Sequence, residues 1–544
     1  MTAEILKVRD LSILLPEGAD RTYAVSAANL ELKKGETLCL VGESGSGKSV
    51  LSQAIMGMLP PQLTVESGDI RFEGDLLPPQ RSKLYQKLRS RKIAMIFQDA
   101  AASLDPIRRV GHQLEEILLV HGVERASERR DRTMALLRSV RLPDPERIYR
   151  SYPHQISGGQ AQRVVIAEAL ALGPDVLIAD EPTTALDVTT QAKVLQLIVE
   201  LCSANHTAVL FVTHDIGVVS EIADTVAVMC DGVIVEVGSR NEVLETPTHS
   251  YTRKLLAAVP KPENISNAHS QNSPILRVKN LSRTYAIKTG LFTSRPLTAV
   301  QNVSFSLHRG ETLGIVGESG SGKSTLARCV LRLEDPDIGT ISFNDEDITT
   351  VTGAALRSVR SDLQVVLQDP FSALNPRQTV GNAIAEGPLI HGASREEAAG
   401  KVSDLLKKVG LPEQAAKRFP HEFSGGQRQR ICIARALAVQ PKVLIADEAV
   451  SALDVSIQTQ ILDLFRELQA AMGFAMIFIT HDLVVAASIC DNVLVMRNGN
   501  MVEYGTANAI FTRPKETYSQ ELIAAIPGGI PRNPPTDTNA TELR

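Results

Sequence analysis

The chain has 544 residues, 43% of them hydrophobic and 22% charged, and carries a net charge of −5. That length is more than one ordinary core supports, so two or more domains are expected. The negative balance argues against a general binder of nucleic acid or anionic membrane. Six cysteines (Cys39, Cys202, Cys230, Cys329, Cys432, Cys490) are scattered without a CxxC pair, which fits reduced cytosolic thiols and gives no zinc site. The start, Met1–Asp10, lacks an apolar leader core. Apolar runs such as Val209–Val212 and Phe474–Ile479 fall far short of the roughly 18 residues that span a bilayer. Basic runs, Arg89–Lys92 and Arg125–Arg132, read as solvated helix faces.

In chain order, the first strong signal is Thr37–Val41 (TLCLV), which predicts a buried parallel strand. It feeds Gly42-Glu43-Ser44-Gly45-Ser46-Gly47-Lys48-Ser49, and a helix is predicted over Val50–Met58. Strand, glycine loop and helix form the context in which GxxxxGK[ST] cradles phosphate, with backbone N–H groups and the helix dipole aimed at the anion. Lys48 then reaches the β- and γ-phosphates, and the Ser49 hydroxyl is a Mg²⁺ ligand. Further on, Ser157-Gly158-Gly159-Gln160 opens a helical run, Ala161–Leu172. Serine and two glycines at a helix start make a second anion site. One domain does not need two phosphate sites for one nucleotide, so the second is expected to complete the pocket of another domain. Next, Asp175–Glu181 (DVLIADE) is a strand ending in two carboxylates. Asp180 suits the Mg²⁺ shell, and Glu181 suits polarising the water that attacks the γ-phosphate.

All of this recurs. The eight loop residues return as Gly317-Glu318-Ser319-Gly320-Ser321-Gly322-Lys323-Ser324, an offset of 275 from Gly42 to Gly317, with Thr325 where the first copy has Val50. The offset is 267 for Ser424-Gly425-Gly426-Gln427, for Asp447 and Glu448, and for the Thr-His-Asp runs at Thr213 and Thr480. The copy ends match too: Tyr251 and Tyr518 are again 267 apart. A duplicated unit follows, with domains expected at 1–260 and 275–527. The polar segment 261–274 between them reads as a linker, and the Pro/Thr/Asn-rich tail 528–544 as disordered.

The ordered set resembles the ATP-binding cassette (ABC) ATPases over essentially the whole chain, twice. The resemblance implies two tandem α/β P-loop domains, each with a RecA-like core, an antiparallel β-subdomain and a helical subdomain. It implies further roles. Gln98 and Gln368 match the glutamine loop that senses Mg²⁺ and faces the permease. Leu186-Asp187 and Leu453-Asp454, each after an alanine, match the D-loop. His214 and His481 match the switch histidine that contacts the γ-phosphate. Tyr285 is the expected adenine platform of the second copy; Leu15 stands at that position in the first, where Tyr23 is the alternative, or simply a strand residue. Both sites are expected to hydrolyse.

Within the family, SYPHQISGGQ, FPHEFSGGQRQR, QDAAASLDP, QDPFSALNP and YTRKLLAAVP resemble the peptide, nickel, opine and glutathione importers. That group implies ATP and Mg²⁺ as ligands, two permease partners and a periplasmic or lipid-anchored solute-binding protein. It also implies a peripheral place on the cytoplasmic face of the inner membrane. No iron–sulfur cluster is expected, because 261–274 lacks cysteine. An exporter ATPase, or a soluble twin cassette acting on ribosomes or DNA, is the alternative. The stretches Gln98–Pro106 and Gln368–Pro376 are expected to line the permease groove as bent loops, with Leu104 and Leu374 at the contact. Because the two stretches differ, the permease is expected to be a heterodimer.

Overall fold

A computed structural model describes residues 3–80, 82–183, 186–260, 273–288, 294–451 and 453–529. Most of the linker and tail expected at 261–274 and 528–544, and the alanines of both D-loops, lie outside the described residues. The chain divides into two compact units: Met1–Leu186 with Thr190–Val259, and Asp187–Thr189 with Pro260–Arg544.

In the first unit a six-stranded sheet runs in the order Val233–Ser239, Thr225–Cys230, Thr37–Val41, Ala208–Thr213, Val176–Asp180, Ile93–Ile96. Only Val233–Ser239 is antiparallel to its neighbour. The five parallel strands are short, β-branched and largely buried on both sides, as parallel strands covered on two faces must be. Alternate residues divide between two cores. Leu38, Leu40, Ile178 and Leu210 face one cluster, shared with the antiparallel sheet of Glu4–Leu14, Tyr23–Lys33, Thr64–Phe72 and Asp75–Leu76. Cys39, Val41, Leu177 and Phe211 face the other, which continues into the helices Val110–Val120, Ala126–Ser139 and Gly158–Leu170.

The second unit repeats this plan. Its parallel strands are Leu363–Val366, Val443–Asp447, Ala475–Thr480, Thr312–Val316 and Asn492–Arg497, with Asn500–Thr506 antiparallel at the end. One bridge, Gln301 to Asn500, joins this sheet to its antiparallel partner, so the second unit's strands form one ten-stranded sheet. Both units are therefore α/β, with core sheet, antiparallel sheet and helical subdomain.

The stretches Gln98–Pro106 and Gln368–Pro376 differ from the expectation of bent loops. Each contains one helical turn, Ala100–Ser103 and Pro370–Ala373. Asp369 caps the second turn, accepting from the N–H groups of Phe371 (2.8 Å) and Ser372 (3.3 Å), with Pro370 at the first helical position. Leu104 and Leu374 are each only 2% exposed and belong to the cores. Their side chains offer no surface to a partner; the exposed apolar side chains in and beside the stretches include Ile107 (82%) and Phe371 (61%).

Candidate functional site

Each site forms at the carboxyl ends of the parallel strands, where open α/β sheets bind ligands. In the first unit, Thr37–Val41 leads directly into the phosphate loop, and Val176–Asp180 ends on Asp180. His214 follows Ala208–Thr213, and Gln98 lies two residues beyond Ile93–Ile96. The register pairs Val41 with Thr213 and Asp180 with Val212, which brings these strand ends together.

Gly42 shows why the loop needs glycine. Its φ is +155°, and a Cβ there would lie 2.1 Å from the Met229 carbonyl oxygen; Gly317 repeats this with Met496 at 2.2 Å. Lys48, buried, donates through Nζ to the carbonyls of Gly42 and Glu43, both at 2.8 Å. Lys323 does the same to Gly317 and Glu318 at 2.9 Å. The ammonium groups are thus held over their own loops, and burial lowers the Lys323 pKa.

The Ser49 hydroxyl donates to Asp180 at 3.2 Å, and Ser324 to Asp447 at the same distance. Burial raises both aspartates' pKa values. A divalent cation would offset that penalty, and hydroxyl plus carboxylate oxygen are the donors Mg²⁺ prefers. The residues present therefore fit the metal.

Glu181 and Glu448 stand at φ +46° and +50°, left-handed conformations uncommon for glutamate. Gln98 donates to Glu181 and Gln368 to Glu448, both at 2.7 Å. His214 Nδ1 lies 3.0 Å from Glu181, and His481 Nδ1 3.4 Å from Glu448. Burial pushes Glu448 up, but the hydrogen bond and charge of His481 outweigh it and hold the carboxyl below its ordinary value. Burial likewise lowers His481, but Glu448 outweighs this and raises it. In each unit, glutamine loop, carboxylate and histidine form one hydrogen-bonded cluster beside the phosphate loop.

The remaining expected residues are partly gathered in. Ser157 and Ser424 cap their helices through capping boxes with Gln160 and Gln427. Tyr285 carries Arg283 over its ring at 5.2 Å, and its hydroxyl donates to Glu334. Tyr23 begins a strand and is hydrogen-bonded to Glu66.

Sequence reasoning passed over three contacts to the phosphate loops. The hydroxyls of Tyr251 and Tyr518, on C-terminal helices, accept from the loop N–H groups of Glu43 (3.2 Å) and Glu318 (3.4 Å). Their shared offset of 267 was the available signal. Arg21 donates to the Gly45 carbonyl of the first loop and pairs with Asp231 at 3.3 Å. No repeat flags it, since Pro296 stands at the corresponding place (the offset of 275).

Family models, curated proteins and solved structures all match parts or most of the chain. The family model described as ABC transporter matches twice, at residues 25–184 and 300–451. The model for the oligopeptide/dipeptide transporter C-terminal region matches residues 235–281. The glutathione import ATP-binding protein GsiA of Salmonella choleraesuis is 45% identical, over 96% of this chain and 90% of that protein. GsiA of Escherichia coli K12 is 44% identical, over 96% and 89%. Among solved structures, cbiO1 of Clostridium perfringens, part of the ABC transporter complex cbiONQ, is 29% identical. That match covers 46% of this chain and 94% of the other, with a TM-score of 0.40.

Proposed function

Because this chain belongs to the ABC transporter ATP-binding family, we propose that it is the twin ATPase of a binding-protein-dependent importer for peptides or related small solutes such as glutathione. The observation that carries the reading is the complete, duplicated cluster of phosphate-loop lysine, Ser–Asp pair and Gln–Glu–His group. ATP hydrolysis is the family's chemistry. Import rather than export is favoured by the relatives' names and by the C-terminal match in the first cassette.

In this reading Lys48 and Lys323 hold the β- and γ-phosphates, while Ser49 with Asp180 and Ser324 with Asp447 would hold Mg²⁺, assisted by Gln98 and Gln368. Bound Mg²⁺ neutralises charge that develops on the phosphates. Glu181 and Glu448 accept a proton from the attacking water; their histidines fix the carboxylates and sense the γ-phosphate. Ser157–Gln160 and Ser424–Gln427 serve the opposite cassette's nucleotide, so both sites are composite. Tyr285 stacks on adenine in the second site.

Among the described residues no helix is long and apolar enough to cross a membrane. The chain reaches the cytoplasmic face of the inner membrane through two different permeases, which contact the surface around Ile107 and Phe371. A periplasmic or lipid-anchored protein supplies solute, and no iron–sulfur cluster is involved. Reconstitution with the permeases and binding protein in liposomes tests this. Uptake of labelled glutathione or dipeptides should require ATP and the binding protein. ATP turnover indifferent to both membrane proteins would contradict it.

A further inference from the structure

The helical subdomains of the two cassettes differ at one place in a concerted way. In the first, Tyr149 packs on the helix Val110–Val120 at Gly111, where a Cβ would lie 2.2 Å from the ring. Its hydroxyl donates to Glu115 at 2.5 Å, and the Arg130 guanidinium lies 5.3 Å from the ring centre. The ring thus touches both helices, Gly111 and Glu115 on this one and Arg130 on Ala126–Ser139.

The equivalent positions of the second cassette are all alanine. The helices Val110–Val120 and Val380–Ile390 have equal length, so Glu115 corresponds to Ala385. Ala126–Ser139 and Arg395–Lys408 are also equal, so Arg130 corresponds to Ala399. Tyr149 lies eight residues before Ser157, and Ala416 eight before Ser424. Ala385, Ala399 and Ala416 line a cleft of about 750 Å³. That size lies within the range of ligand-binding pockets. At its rim stand Arg395 and Lys417, exposed and without an ion pair or side-chain hydrogen bond among the described residues. Glu413, also at the rim, accepts from Ser403 at 2.7 Å.

We propose that this cleft is a docking pocket for an aromatic side chain carried on an acidic segment of the permease that pairs with the second cassette. The proposal rests on the transporter reading above. An aromatic ring is the shape the first cassette places there, and Ala385, Leu389, Val402 and Ala416 give the cleft an apolar part for it beside the polar Asn382 and Ser403. The two cations call for acidic neighbours on the incoming segment, which charge complementarity orients. The cleft also begins at Thr379, three residues beyond the stretch Gln368–Pro376. A buried aromatic anchor is the usual centre of binding energy at a protein interface. The first cassette, already filled by Tyr149, then takes a permease segment without such an anchor, so the two permeases are not interchangeable.

The test rebuilds the first cassette's filling in the second, as Ala385→Glu, Ala399→Arg and Ala416→Tyr together. The melting temperature and permease-free ATP turnover should be unchanged. Binding to liposomes carrying the two co-purified permeases should weaken at least about tenfold. Should the triple variant fold poorly, Arg395→Glu with Lys417→Glu carries the same expectation through surface charge alone. A photoactivatable maleimide on Ala416→Cys should crosslink to a permease peptide with Phe, Tyr or Trp beside Asp or Glu. Wild-type binding by both variants would overturn the proposal. So would a thermal shift with free phenylalanine or tyrosine dipeptides that the triple variant loses while permease binding stays intact, which would mark a small-molecule site. Failure of the wild-type chain to bind these liposomes at all would sink the transporter reading and the proposal with it.

Discussion

Burial works against the charged forms of Glu448 and His481, yet each favours the other's charged form enough to reverse the direction of its shift. The carboxyl, depressed below its ordinary 4.5, contributes stability that is present above that value and lost as pH falls through the lowered one. The imidazole, raised above its ordinary 6.5, contributes stability that is full below that value and lost as pH rises through the raised one. The pair therefore stabilises nucleotide-free protein most between about pH 4.5 and 6.5. Melting temperatures of wild type and His481→Gln should differ most in that window and converge on either side; a constant difference across pH would contradict the ion pair. The same carboxylates make the catalytic test. Glu181→Gln or Glu448→Gln should each slow ATP turnover by orders of magnitude while nucleotide binding persists, since only water activation is lost. A variant with turnover near wild type would mean that its site does not contribute hydrolysis.

Among the elements, the short helices Ala100–Ser103 and Pro370–Ala373 separate buried from exposed apolar side chains. Leu104 and Leu374 face the cores, so an Asp at either place buries an unpaired carboxylate and should cost on the order of 4 kcal/mol. Ile107→Asp changes an exposed side chain and should leave melting within about 1 °C of wild type, whereas Phe371→Asp also gives up the Arg428 guanidinium 4.0 Å from its ring and should cost on the order of 1 kcal/mol. Sedimentation with permease-containing membranes should fall for the exposed pair alone. Equal loss of stability in all four would contradict the burial assignment. These leucines also show where sequence pattern runs short. The run QDPFSALNP signals a turn through Asp, Pro and Asn, but it does not tell which apolar side chain turns inward. That depends on a helical turn whose cap, Asp369, becomes visible only once its oxygens meet Phe371 and Ser372 N–H groups.

At the level of the whole chain, the two α/β cassettes were legible because motif, strand and spacing repeat together. Phosphate loop, Asp–Glu pair and histidine each follow a strand, and chemistry restricts each to a few residue types. Tyr251 and Tyr518 were harder to read, because a tyrosine near a domain's end has no chemistry of its own until it reaches the Glu43 and Glu318 N–H groups. The alanine-lined cleft was harder still: its three positions lie on separate elements, with three slightly different offsets. The proposed service of Ser424–Gln427 to the first cassette's nucleotide is open to a crosslinking test. Cysteines at Ser44, exposed in the first loop, and Gly425, where a Cβ meets nothing within 4 Å, should crosslink only with ATP present. Crosslinking indifferent to nucleotide would contradict closure on ATP. That one chain carries two hydrolytic sites can be checked by counting bound nucleotide. In the Glu181→Gln, Glu448→Gln double variant, labelled ATP retained after rapid gel filtration should approach two molecules per chain, unhydrolysed. One molecule per chain, or retention that needs a second copy of the chain, would contradict it.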